Sequence, residues 1–71
     1  MTGDELREIR QTVGWTQVKM ARSLGCSQSH YANMERGAYE IKDGYARFAT
    51  ILHLVYRQAV ILGLIEPPLL R

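Results

Sequence analysis

The sequence predicts an all-α protein of four to five helices, and two observations lead to this expectation. Apolar residues recur at helical spacing along most of the chain, as Leu6, Ile9 and Val13 do near its start. Glycines and hydroxyl-bearing residues also stand where such helices would end and begin. The 71 residues, 46% of them hydrophobic and 23% charged, are enough for one small globular domain spanning 1–71.

The first predicted helix begins at a capping box. Thr2 and Glu5 match the pattern S/T-x-x-E, in which each side chain accepts a backbone N–H of the other residue. The helix should run to about Val13 and end at Gly14, a residue suited to the left-handed conformation. Trp15 should then form a buried plug between helices.

The second predicted helix covers Gln17 to Leu24, with Thr16 as its N-cap. Its inward positions are Val18 or Met20, together with Ala21 and Leu24. Gly25 should end it after two turns.

The third predicted helix is capped by Ser27 and covers roughly residues 28 to 36. Tyr31 and Met34 are three residues apart and should face inward. Gly37 should end the helix. The unit formed by the second and third helices therefore covers about 16–37.

A long apolar C-terminal helix, about 43–63, should follow a loop and begin with Asp43 as its N-cap. Two shorter helices that meet near His53 are the alternative. The residues expected to face the core are Tyr45, Phe48, Ala49, Leu52, Val55, Tyr56, Ala59 and Val60. Since further apolar residues fall largely outside that stripe, the helix should be shared with a second copy of the chain. The predicted dimerisation residues are Ile51, Leu54, Val55, Ile61 and Leu62.

Composition and short motifs exclude several classes of function. The only cysteine, Cys26, cannot form an internal disulfide, and no Cys/His set has zinc spacing, so neither a metal nor a cofactor is expected. The most apolar stretch, Ala59 to Ile65, is far shorter than the ~20 residues that span a bilayer, and the N-terminus lacks a secretory signal. The short apolar stretch and the missing secretory signal indicate a cytoplasmic protein. Since the sequence also has no catalytic triad and no phosphate-binding glycine loop, we do not expect an enzyme.

The segment Leu24-Gly25-Cys26-Ser27 joins the second and third helices in the pattern of a helix-turn-helix. Ala21 has to be small where the two helices cross. Gly25 has to accept a positive φ, which costs other residues roughly 1 kcal/mol or more. Cys26 most simply fills the turn as a small apolar residue, although a redox-sensitive thiol is the alternative.

Residues Leu6 to Gly37 resemble the Cro/CI-type (Xre-like) helix-turn-helix regulators of phages, mobile elements and bacteria, which have a lambda-repressor-like DNA-binding fold. The matching residues are Arg10, Gly14-Trp15-Thr16-Gln17, Ala21, Leu24-Gly25, Ser27-Gln28-Ser29 and Met34-Glu35-Arg36-Gly37. The part of the chain after residue 38 does not clearly match the short fourth and fifth helices of that family, which leaves the dimer geometry open.

The resemblance implies that the third helix lies in the major groove of double-stranded DNA, with its first residues at the base edges. The residues carried over as base contacts are Gln28, Ser29, Asn33 and Ser27. The chemistry agrees independently, because a side-chain amide can bind N6 and N7 of adenine together.

The resemblance also implies contacts to the DNA backbone. The amide of Gln17, at the start of the second helix, would hold a phosphate. The other predicted phosphate contacts are His30, Arg36, Tyr39, Lys42 and Arg10. For Arg10 the preferred role is structural, as an ion pair with Glu35, although the guanidinium could also contact phosphate.

These features predict a dimeric transcriptional regulator, most simply an autorepressor that binds a palindromic operator. One alternative is an antitoxin that binds DNA and also binds a toxin through the C-terminal helix and the tail at residues 64–71. A second alternative is a protein-interaction module that keeps the scaffold without reading DNA.

Overall fold

The computed structural model describes residues 1–66, and this part of the chain folds into four helices. They are α1 (Gly3–Val13), α2 (Gln17–Leu24), α3 (Gln28–Glu35) and α4 (Asp43–Ile61). The tail predicted for toxin binding lies outside the described residues from position 67 onward. Helix α2 packs against α3, and α1 packs against both α3 and α4.

The first three helices each begin at a hydroxyl side chain that caps the backbone. The Oγ1 of Thr2 accepts the N–H of Glu5 at 3.1 Å, and the Glu5 carboxylate accepts the N–H of Thr2 at 2.8 Å. Thr16 accepts the N–H of Lys19 in the same way. The predicted capping box is therefore present, and each cap satisfies an N–H that the helix itself leaves unpaired.

The turn between α2 and α3 depends on a left-handed residue. Gly25 has φ 80°, and its N–H donates to the carbonyls of Ala21 and Arg22. Because only glycine adopts this conformation at little cost, α2 stops here and the chain turns into α3.

The core lies where the four helices meet. Its fully buried members are Leu6, Met20, Ala21, Tyr31, Met34 and Ala49. The inward residue of α2 is thus Met20, while Val18 is exposed. Trp15 was expected to be a buried plug, but it is only half-buried and packs at the edge of this core.

Helix α4 is one continuous helix of 19 residues, and two of its predicted features are wrong. Its N-cap is Lys42, not Asp43, which is instead the first helical residue, and no side chain caps the backbone there. Val55 was expected in the core but is 61% exposed. The reason is that α4 packs mainly against α1, and Ala49 is the only residue of α4 that is buried.

No helix within residues 1–66 is long and apolar enough to cross a membrane.

Candidate nucleic-acid interface

Helix α3 is anchored through its middle and end and exposed at its first turn. Tyr31 and Met34 are fully buried in the core, and Glu35 is buried beside them. At the N-terminal end of the helix, before the first buried residue, Gln28 and Ser29 are exposed to solvent. Anchoring through the middle and end of the helix leaves its first turn projecting from the protein surface.

Ser27 has a structural role at this end of the helix. Its Oγ accepts the N–H of His30 at 3.1 Å and so caps α3. The residue is exposed, and a hydroxyl that accepts one hydrogen bond still has a proton to donate. A contact from Ser27 to DNA is thus compatible with the cap.

Asn33 lies one turn further along α3 and is half-buried. Its Oδ1 accepts a hydrogen bond from Nη2 of Arg36, a residue predicted to contact phosphate. While this bond is present, the Oδ1 of Asn33 keeps a second lone pair and its amide nitrogen can still donate. Asn33 can therefore still present a donor–acceptor pair to adenine, with the Arg36 guanidinium held beside it.

His30 belongs to an aromatic cluster that joins α3 to the following loop and to α4. The centroid of its ring lies 5.1 Å from that of Tyr39 and 6.3 Å from that of Tyr45. These distances are typical of tilted and edge-to-face aromatic pairs. The ring of His30 thus helps to hold the loop against the end of α3 that carries Ser27 and Gln28.

The remaining predicted phosphate contacts of the loop are accessible. Arg36, Tyr39 and Lys42 are all exposed. Two of them are cationic and one carries a phenolic hydroxyl, which are groups that bind phosphate oxygens. They lie after α3 in the chain, so the loop extends the exposed surface beyond the helix itself.

Glu35 is the centre of a buried ionic network. Only 2% of its side chain is exposed, and its carboxylate accepts hydrogen bonds from Nε of Arg10 at 2.6 Å and Nη2 of Arg10 at 3.2 Å. Nε2 of Gln17 donates to the same carboxylate at 3.1 Å. Burial alone would raise the pKa of Glu35, but these donors, foremost Arg10, leave the pKa below its usual value.

The geometry gives Arg10 and Gln17 structural tasks. The third nitrogen of the Arg10 guanidinium donates to the Trp15 carbonyl at 3.0 Å, so this side chain ties α1 to α3 and to the loop before α2. The hydrogen bond to Glu35 raises the pKa of Arg10. The amide N–H of Gln17 that was expected to reach phosphate is directed at Glu35 instead.

Two residues that support α3 were missed by the sequence reasoning. Arg7 donates from Nη2 to the Glu35 carbonyl at 3.4 Å, and its Nε lies 3.7 Å from Oε1 of Glu35. Gly3 lies so close to the end of α3 that a Cβ there would stand 2.8 Å from the Glu35 carbonyl carbon. The spacing of Arg7 from Arg10 is a usable signal, since residues three apart share a helix face.

Two further side chains near α2 are held in defined environments. The ammonium of Lys19 lies 5.0 Å from the ring centroid of Trp15, within the range of a cation–π contact. Burial raises the pKa of the Cys26 thiol, which disfavours the reactive thiolate and fits the interpretation that this residue fills space in the turn.

Within the described residues, no group of three His, Cys, Asp or Glu side chains could hold a metal ion.

The chain was compared with protein families, with curated proteins and with solved structures. A family model described as a helix-turn-helix domain matches residues 3–54, which include α1, α2, α3 and the first part of α4. No curated protein and no solved structure matches the chain at a significant level.

Proposed function

Because the chain belongs to the helix-turn-helix domain family, we propose that it is a transcriptional regulator that binds double-stranded DNA through the major groove. In this proposal α3 is the recognition helix, and its exposed first turn meets the base edges. The loop after α3 contacts the phosphate backbone.

The observation that carries the proposal is the division of α3 into an exposed first turn and a middle and end that are anchored in the core. Tyr31, Met34 and Glu35 fix the helix to the core, and the exposed turn begins with Ser27, Gln28 and Ser29. These three residues are uncharged hydrogen-bonding groups. A surface of this kind suits base edges, whose donor and acceptor patterns differ from one base pair to the next.

Gln28 is the leading base contact in this proposal, since it is exposed and its amide can both donate and accept. Ser29 adds a second hydrogen-bonding group beside it. Asn33 adds a second amide one turn further along α3, beside the Arg36 guanidinium that donates to it.

Arg36, Tyr39 and Lys42 are proposed as phosphate contacts. They supply affinity that depends on salt and not on sequence. Replacing Lys42 with alanine should weaken binding to specific and nonspecific DNA alike and should make the dependence of binding on salt concentration less steep.

Alanine substitution at Gln28 and Asn33 tests the proposed reading surface. Each change should cost about 1–3 kcal/mol of specific binding, because each removes a base contact, while weak binding to unrelated DNA should survive. The matched control is Gln11→Ala, which removes an exposed glutamine from α1. Unchanged specific affinity in Gln28→Ala/Asn33→Ala would show that α3 does not read DNA as proposed.

We further propose that the protein acts as a homodimer on a palindromic operator and represses its own promoter. Two-fold symmetry would place the recognition helices about 34 Å apart, one turn of DNA. The supporting feature is the exposed apolar surface of α4, which includes Ile51 and Leu62. A charged residue at either position should weaken operator binding without altering the surface of α3.

Two measurements test these finer proposals. Sedimentation at tens of micromolar should give a dimer, and a monomer both with and without operator would refute the homodimer. A footprint on the DNA upstream of the protein's own gene should show two protected half-sites about one turn apart; protection of a single half-site, or of none, would refute the palindromic autorepressor.

A further inference from the structure

One side of α4 carries a stripe of exposed residues that faces away from the core. We call it the outer stripe, and its members are Ile51, Leu54, Val55, Gln58 and Ile61 of α4 together with Leu62, the C-cap that follows the helix. At 3.6 residues per turn, all of them lie within about 60° of Gln58 around the helix axis. The core residue Ala49 lies on the opposite side of the helix.

The outer stripe has a symmetric arrangement about Gln58. Leu54 and Leu62 lie four residues before and after it, and Val55 and Ile61 lie three residues before and after it. The paired residues are also alike in shape, since Leu is matched with Leu and the β-branched Val with the β-branched Ile. Reading the stripe backwards therefore gives nearly the same surface.

An antiparallel helix pair with two-fold symmetry requires a self-complementary surface, in which the residues at equal distances before and after the axis fit each other. In such a pair, residue i of one chain contacts residue j of the other, and j contacts i. We propose that two copies of the chain pair through the outer stripes of α4 in antiparallel orientation, with the two-fold axis at Gln58. The inference rests on the homodimer proposed above and specifies its contacts.

In this register the contacts follow from the sequence. Leu54 of one protomer meets Leu62 of its partner, and Val55 meets Ile61, each contact occurring twice. The four side chains are between 55% and 72% exposed in the single chain, so the pairing removes apolar surface from water at every position. The two α4 helix dipoles also oppose each other, which is favourable.

Parallel pairing is disfavoured by a charged residue in line with the stripe. Arg47 is exposed and lies within about 20° of Gln58 around the axis, since eleven residues separate the two. In a parallel pair, Arg47 of each protomer would face the Arg47 of its partner and the like charges would repel. Antiparallel pairing centred on Gln58 keeps the two arginines at opposite ends.

Gln58 sits where a polar group sets the register. It lies in the wall of an otherwise apolar recess of about 340 Å³ that is lined by Leu54, Val55, Ala59, Leu62 and Leu64. An amide next to its own symmetry mate can donate to it and accept from it. A single polar residue in an apolar helix interface disfavours shifted registers, because a shift leaves it unpaired.

A charge-swap experiment tests the register. Leu54→Lys and Leu62→Glu should each convert the dimer to a monomer in sedimentation velocity, since each buries a charge against leucine. The double variant Leu54→Lys/Leu62→Glu should restore the dimer, because every lysine then meets a glutamate of the partner. Both positions are exposed in the single chain, and circular dichroism should show unchanged helix content.

The matched control is Leu54→Lys/Val55→Glu, which carries the same net charge but places both charges on one half of the stripe. It should stay monomeric. If the wild type is a dimer and the single variants also remain dimers, or if the Leu54→Lys/Leu62→Glu variant stays monomeric, the antiparallel register is wrong while the homodimer stands. Recovery in the control would also overturn the register. A monomeric wild type would overturn the homodimer itself.

Discussion

The three helices up to Gly37 and the single helix α4 are stabilised in different ways. Each of the first three has a side-chain cap at its start, and together they bury five of the six fully buried core residues. Helix α4 has no side-chain cap, buries only Ala49 and leaves large apolar residues in solvent. The first region buries its apolar side chains against its own helices, whereas α4 leaves an apolar surface that nothing within residues 1–66 covers.

The largest effect expected in the first region comes from removing the centre of its ionic network. Glu35→Ala leaves the Arg10 guanidinium half-buried with no carboxylate and also removes the acceptor of Gln17. Losing one partner of a buried pair costs about 3–5 kcal/mol, and we expect a loss near the lower end because Arg10 keeps some access to water. Chemical denaturation measures it.

The control for Glu35→Ala is Glu40→Ala, which removes an exposed carboxylate from the loop and should change stability by less than about 0.5 kcal/mol. Equal effects of the two variants would mean that the network does not hold α1 and α3 together.

Two glycines in the first turns of α1 and α4 allow the packing of the two helices to be compared directly. Gly3 of α1 faces the backbone of α3, and a Cβ there would lie 2.5 Å from the Met34 carbonyl oxygen. Gly44 of α4 has nothing within 4 Å of the same position. Gly3→Ala should therefore destabilise the protein by roughly 1–3 kcal/mol through overpacking.

Gly44→Ala should instead stabilise it by about 0.4–1 kcal/mol, because the unfolded chain loses freedom and nothing in the fold has to move. Thermal unfolding of the two variants side by side gives the comparison. A destabilising Gly44→Ala would indicate that the start of α4 is more tightly packed than its surroundings suggest.

The pH dependence of stability should come in part from Glu35. Its pKa is lower in the folded protein than in the unfolded chain, so the unfolded state binds its proton first as the pH falls. The stability it contributes is fully present above the unfolded pKa, near 4.3, and is lost as the pH falls through the lower folded value. In Glu35→Gln the free energy of unfolding should therefore depend less on pH in that range. If its pH dependence is unchanged, the loss of stability in acid comes from other carboxylates.

The sequence allowed the helices to be located well because the signals for their ends are local. Thr2, Thr16 and Ser27 cap neighbouring N–H groups, and Gly14 and Gly25 end helices through their own φ values. The sequence predicts the start of α4 one residue late, because aspartate is a residue type that often caps helices. In the structure Lys42 is the N-cap, and the Asp43 side chain does not cap the helix.

Features that depend on which helices contact each other could not be predicted from such local signals. The close approach of Gly3 to α3, the reach of Arg7 and Gln17 to Glu35 and the exposure of Val55 all follow from tertiary packing. For the candidate interface, the sequence identified the exposed turn at Gln28 and Ser29. It did not reveal that Arg36 binds Asn33 or that His30 contacts Tyr39, because those contacts depend on where side chains meet.

The caps have expected effects as small as that of Gly44→Ala, and they test directly whether α4 differs from the other helices. Thr16→Ala removes the acceptor for the Lys19 N–H and should cost about 1 kcal/mol. Lys42→Thr places a hydroxyl at the N-cap of α4, where no side chain now accepts a backbone N–H, and should stabilise by a similar amount. Lys42→Ala separates the cap from the loss of the lysine, since alanine supplies no acceptor and should leave stability nearly unchanged. If Lys42→Thr and Lys42→Ala melt at the same temperature, a side-chain cap does not stabilise the first turn of α4. Helix α4 would then differ from the other helices in its packing alone.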